Sequence, residues 1–168
     1  HFMKSTDSGD NWNLMYSFTD SLNTNAKSFW KLNFINGNTG FASGEYNFIA
    51  RTTNSGLNWS RINAISVPFT YPIIETILPI DANNIIAGGG YSGLGSYLPV
   101  NYVVKSSNTG TNWLVKSYNY HYKFYDLHLK EQQNGIAVTD TEIIYKTTNN
   151  GSTWEKLFSN NTYRINNL

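Results

Sequence analysis

A nine-residue pattern occurs four times in this chain, and no other feature limits its fold so tightly. The copies are Lys4-Ser-Thr-Asp7-Ser-Gly9-Asp-Asn-Trp12, Arg51-Thr-Thr-Asn54-Ser-Gly56-Leu-Asn-Trp59, Lys105-Ser-Ser-Asn108-Thr-Gly110-Thr-Asn-Trp113 and Lys146-Thr-Thr-Asn149-Asn-Gly151-Ser-Thr-Trp154. The Asx side chain accepts hydrogen bonds from backbone N–H groups ahead of it, and Gly supplies the positive φ at which the chain reverses. Each copy therefore reads as a self-contained hairpin turn. The Trp opens the outgoing strand, where a large flat side chain packs between neighbouring sheets as core, not as a ligand platform.

Whole units repeat around these turns. Phe34, Leu78 and Leu129 each lie seven residues before Phe41, Ile85 and Ile136, which open short apolar strands. On that register the third unit carries a ten-residue insertion between Gly88 and Asn101. Each unit reads as four short β-rich strands, A to D, bounded by Asn, Gly and Ser clusters. Four antiparallel strands per repeat is the blade of a β-propeller, so the expected fold class is all-β. The expected layout places strands C and D of a first blade in residues 1–18 and further blades in 29–63, 73–118 and 124–158. Residues 163–168 start another blade with an A-like strand, Tyr163 to Ile165. A ring closed within this chain would lack one strand, so part of a larger propeller is expected, with the remaining blades in the same or another chain.

Composition narrows the partners. The net charge is +1 and charged residues make up only 14%, which gives no field for gathering nucleic acid. Apolar runs such as Ile77 to Ile80 are too short to span a bilayer, so no direct membrane insertion is expected. Cysteine is absent, which excludes disulfides, thiolate zinc sites and cysteine nucleophiles. Twelve Tyr and five Trp suit recognition by shape and hydrogen bonding.

The pattern Trp30…Phe34…Gly40-Phe41-Ala42…Gly44…Arg51-Thr-Thr-Asn-Ser-Gly…Trp59 resembles the BNR or Asp-box repeat superfamily. It looks most like the propellers related to the photosystem II assembly and stability factor, which are common in bacterial surface and secreted proteins. The same box occurs in sialidases, xyloglucan-cleaving glycosidases and sortilin-type receptors. The resemblance covers the chain from Lys4 onward and implies a propeller, a secreted or cell-surface location and no particular activity. Three boxes carry Asn54, Asn108 and Asn149 where the superfamily has its acid, and only Asp7 retains it. Asn still builds the turn, but the boxes lose support as calcium or catalytic sites.

In such propellers the box hairpins lie away from the functional face, and the D-to-A and B-to-C loops line the opposite mouth of the channel. Tyr46 lies in one B-to-C loop. The inserted loop from Gly88 to Asn101 carries Tyr91 and Tyr97 among glycines, and reads either as a flexible surface excursion or as a mobile binding loop. It has no Walker Lys-Ser/Thr, so it is not a phosphate cradle. The D-to-A loop from Ser117 to Lys123 gathers Tyr118, Tyr120, His121 and Tyr122, a cluster suited to a sugar ring or a peptide, or to packing between blades. His121 has only His1 and His128 as histidine companions, so no metal site is expected. No cofactor is expected either.

Aligned on the seven-residue register, Lys31, Glu75, Asp126 and Arg164 share one position on the A strands. Glu75 and Asp126 are the one carboxylate pair this logic brings together. They could perform glycosidic acid/base chemistry, or they could belong to a structural ring of alternating charge. A sialidase needs three arginines converging on its substrate. Arg51 and Arg61 flank a box on the wrong side, and Tyr163-Arg164-Ile165-Asn166 lacks the proline of the sialidase motif. The leading expectation is a non-enzymatic binding or scaffold propeller whose Tyr-rich loop face holds a protein or carbohydrate. A glycosidase fragment using Glu75 and Asp126, and an assembly factor, are the alternatives.

Overall fold

Runs such as Ile73–Pro79 and Val100–Ser106 are rich in β-branched and aromatic residues, carry no helix-period stripe, and end at Asn, Gly and Ser clusters. They fold as strands. The computed structural model describes residues 1–16, 28–62, 65, 73–91, 100–119, 124–130, 133–139 and 143–159, and these contain no helix. A two-stranded hairpin comes first, β1 (Phe2–Lys4) with β2 (Asn13–Tyr16). Three four-stranded antiparallel meanders follow. The second blade is β3 (Phe29–Phe34), β4 (Gly40–Gly44), β5 (Ile49–Thr52) and β6 (Ser60–Arg61). The third is β7 (Ile73–Pro79), β8 (Ile85–Tyr91), β9 (Val100–Ser106) and β10 (Leu114–Asn119). The fourth is β11 (Phe124–Lys130), β12 (Asn134–Thr139), β13 (Ile143–Thr147) and β14 (Glu155–Ser159).

The sheets stack face to face with their first strands innermost, β7 lying against β3 and β4 on one side and β11 on the other. Phe41 and Ile49 of the second blade pack with Ile74, Ile77, Ala87 and Val104 of the third. Ile86 and Val103 of the third pack with Phe124, Leu127 and Ala137 of the fourth. Ala42, Ala50 and Trp59 cover the other face of the second blade, with Phe2 of the hairpin against them. Each fully buried aliphatic or aromatic side chain contributes about 1.5–3 kcal/mol, so these interfaces are the core.

The four turns share one set of hydrogen bonds. The hydroxyl after the base donates to the Asx oxygen and accepts from the turn glycine: Ser5 at 2.6 and 2.8 Å, Thr52 at 3.0 and 3.0 Å, Ser106 at 3.0 and 2.9 Å, Thr147 at 3.0 and 2.9 Å. That Asx oxygen also accepts the N–H four residues on, from Asn11, Asn58, Asn112 and Thr153 at 2.8 to 2.9 Å. The oxygen that takes both bonds is found on an amide as on a carboxylate, so Asn builds the same turn as Asp. Gly9, Gly56, Gly110 and Gly151 all take positive φ, as does the residue before each.

The tryptophans do not share one environment. Trp59 is buried and Trp113 and Trp154 are half-buried, but Trp12 is exposed, so the expectation of core packing fails at Trp12. Its indole still donates to Gly9 O at 3.0 Å, as Trp59 does to Gly56 O at 3.1 Å. The turn is local, whereas burial needs a neighbouring sheet.

Candidate functional site

Every inner strand begins with a β-bulge. The ladder slips between Phe29 and Lys31, between Ile74 and Thr76, and between Phe124 and Asp126, leaving Trp30, Glu75 and Tyr125 as the extra residues. A bulge bends the strand and re-aims side chains. In two of the three blades glycine makes room for it: a Cβ on Gly44 would lie 2.2 Å from Ser28 O, and one on Gly89 would lie 2.0 Å from Ile73 O.

This ladder corrects the register expected from spacing. Ile86, not Ile85, is the partner of the box base Lys105, as Phe41 is of Arg51 and Ile136 of Lys146. Thr76 therefore shares a position with Lys31 and Asp126, while Glu75 is equivalent to Trp30 and Tyr125. The insertion shrinks to nine residues, since Ile86 lies 27 residues before Trp113 against 18 for the equivalent pairs. Gly88 to Tyr91 are not loop but strand, paired with Val103 to Val100. Tyr118 likewise belongs to β10, opposite Tyr102, and not to a loop.

The corrected trio is bonded together. Lys31 Nζ donates to both oxygens of Asp126, at 2.8 and 3.0 Å, and Thr76 Oγ1 donates to Asp126 Oδ1 at 3.2 Å. The backbone N–H of Leu127 completes the set at 2.9 Å. One residue from each of three blades thus meets on a buried carboxylate, and Asn33 Nδ2 adds a second tie to Ile77 O at 3.0 Å. Asp126 Oδ1 thus accepts three of these bonds and Oδ2 one. Glu75 sits one residue nearer the strand start and is buried.

At the same level, Trp30 is 51% and Tyr125 40% exposed, large apolar surfaces on a backbone fixed by the ladder. Spacing arguments missed both as site residues. The signal was the odd residue that each A strand carries before its alternation settles. Tyr46 lies in the β4–β5 turn, half-buried, with φ of 55°, and Asn47 beside it has φ of 59° and donates to Ile65 O. Non-glycine residues held there store strain of a kind concentrated at functional sites. Tyr97, Tyr120, His121, Tyr122 and Arg164 lie outside the described residues, as do the side chains of Tyr91 and Tyr118. No group of three or more His, Asp or Glu among the described residues is placed to hold a metal.

A concavity of about 460 Å³ lies between the first hairpin and the second blade, lined by Phe2, Met15, Leu32, Phe34 and Trp59 among others. At its box end Lys4 donates to Ser55 O at 3.1 Å. The equivalent Lys105 donates to Asn150 O at 3.0 Å, and burial lowers its pKa below the ordinary lysine value, with Lys116 adding to this and Asp81 opposing it.

Radially stacked four-stranded meanders with innermost first strands and repeated turns define a β-propeller. No protein-family model matches the chain, and no curated protein matches it. Solved structures do. YCF48 bound to D1 peptide is 19% identical with a TM-score of 0.65, over 98% of this chain and 49% of that one. The GH74 xyloglucanase from Xanthomonas campestris is 13% identical with a TM-score of 0.69, over 93% and 26%. YCF48 from Cyanidioschyzon merolae is 15% identical with a TM-score of 0.60, over 81% and 41%. The chain spans less than half the length of each, and the likeness is one of fold.

Proposed function

We propose that this is a non-enzymatic binding propeller that holds a protein segment at the D-to-A end of its inner strands, outside the cytoplasm. The observation that carries it is the contrast at the bulges. Trp30 and Tyr125 stand exposed at equivalent positions on β3 and β11, while the carboxylate beneath them is consumed by Lys31, Thr76 and Leu127 N–H. Rigidly mounted aromatic side chains offer contact area at low entropic cost, which suits an extended polypeptide. A propeller neighbour bound to a peptide supports the same reading, and the outside location follows from the repeat resemblance.

A peptide array and a glycan array probed with the 168-residue chain and with Trp30→Ala/Tyr125→Ala test the proposal. Peptide ligands that the double variant loses are expected. The xyloglucanase neighbour keeps one rival reading in view. Hydrolysis on a xyloglucan and sialoside panel, abolished by Glu75→Gln and by Asp126→Asn, would replace the binding role with a carboxylate mechanism.

A further inference from the structure

Two of the four box bases make the same contact with the box that follows. Lys4 reaches from its box to the backbone carbonyl of Ser55 in the next, at 3.1 Å, and Lys105 reaches the carbonyl of Asn150 in the next, at 3.0 Å. Ser55 and Asn150 occupy the same place in their turns, the positive-φ residue before glycine. These latches tie neighbouring boxes together on the box side of the blades. Between the second and third blades the base is Arg51, and the residue in the latch position is Thr109.

Arg51 makes no such latch: its side chain makes no hydrogen bond with a described residue, and its Nε is buried without an acceptor. Its guanidinium lies 5.8 Å from the centre of the Phe41 ring, which holds it in place. Here the groove is a cleft of about 260 Å³ lined by Arg51, Ser60, Arg61, Ile62, Thr109 and Thr111. Among the described residues, two guanidiniums and three hydroxyl side chains line it, and no acidic side chain does. Arg61 is steadied over Phe48 at 5.5 Å, and Thr109 Oγ1 donates to Asn108 O at 2.6 Å. A guanidinium stays charged and presents a planar fork of donors, which an ammonium cannot. The outer nitrogens of a guanidinium facing a cleft can give an oxyanion charge-assisted hydrogen bonds.

We infer that the box-side groove between the second and third blades is a binding site for a sulfate- or phosphate-type oxyanion, with Arg51 as its principal donor and Arg61 and Thr111 completing it. The site is on the opposite side of the blades from the aromatic bulges, and it stands whether or not the peptide reading does.

Titration of the 168-residue chain with sodium sulfate and with sodium phosphate tests this, read by calorimetry and by the Arg Nε–Hε resonances, with sodium chloride at matched ionic strength as control. Saturable binding that moves the Arg51 resonance is expected. Arg51→Lys restores the residue that latches the other two grooves, so it keeps the fold, and it should weaken binding about tenfold or more. Arg61→Gln should weaken it by a smaller factor. Phenyl phosphate binding as well as inorganic phosphate marks an ester group carried on a larger molecule, and its exclusion marks the free ion; either leaves the site in place. A wild-type response no different from chloride, or an Arg51→Lys variant that binds as tightly as the wild type, overturns the inference.

Discussion

Leu32, Ile77 and Leu127 hold the same place on their inner strands, yet Leu32 is 50% exposed while Ile77 is 0% and Leu127 3%. The difference lies in what stands beside each strand. β7 has a whole blade against it, and so has β11, whereas the two-stranded hairpin covers Trp59 and Phe29 and leaves Leu32 and Phe34 open. The boxes repeat the lesson. Trp12 and Trp59 make the same indole bond to their own turn, but one is 58% exposed and the other 5%. In this architecture the blade supplies the apolar face and its neighbour supplies the burial.

The sharpest way to break that comparison is to truncate equivalent residues. Trp59→Ala removes a ring stacked on Phe2 at 4.3 Å and should cost about 3–5 kcal/mol by denaturant unfolding. Trp12→Ala should cost within about 1 kcal/mol, because the lost contacts are mostly with water. Equal costs would mean that the first box is buried in solution. Next in size, Ile77→Ala should cost about 2–5 kcal/mol and Leu32→Ala within about 0.5 kcal/mol. A large penalty at Leu32 would reveal a further sheet packed on β3.

The smallest expected effect separates the one acidic box from its three amide counterparts. Hydrogen bonds from Ser5 and Asn11 lower the pKa of Asp7 from 3.8 to about 2. A carboxylate whose folded pKa is depressed adds stability above its unfolded pKa and loses it as pH falls through the folded value. Asp7 should therefore contribute a small loss of stability between pH 3.8 and about 2. Asp7→Asn should remove that contribution from the stability-versus-pH curve. An identical curve for the variant would show that the Ser5 and Asn11 bonds are not kept in solution.

The turns were legible from sequence because every bond that makes them is closed within nine residues, from the hydroxyl to the Asx oxygen to the N–H four positions on. The blade repeat was legible for the same reason, being a spacing of such turns. The register of the third blade was not. Ile85 and Ile86 are both isoleucine, so Leu78 with Ile85 and Pro79 with Ile86 satisfy the seven-residue spacing equally well, and only the ladder chooses. A one-residue slip moves every side chain to the other face of a strand, which is why it put Glu75 where Thr76 belongs.

By itself, then, the sequence determined what is local: four Asx-Gly turns, short strands between them, and blades of four strands. The tertiary structure decided what depends on a second sheet. It paired Lys31 and Thr76 with Asp126 across three blades, exposed Trp30 and Tyr125, left Arg51 without the latch that Lys4 and Lys105 make, and buried one tryptophan while leaving its twin in water. Burial and long-range pairing are relations between segments far apart in the chain, and a repeat that writes the same face each time carries no record of which copy will find a partner.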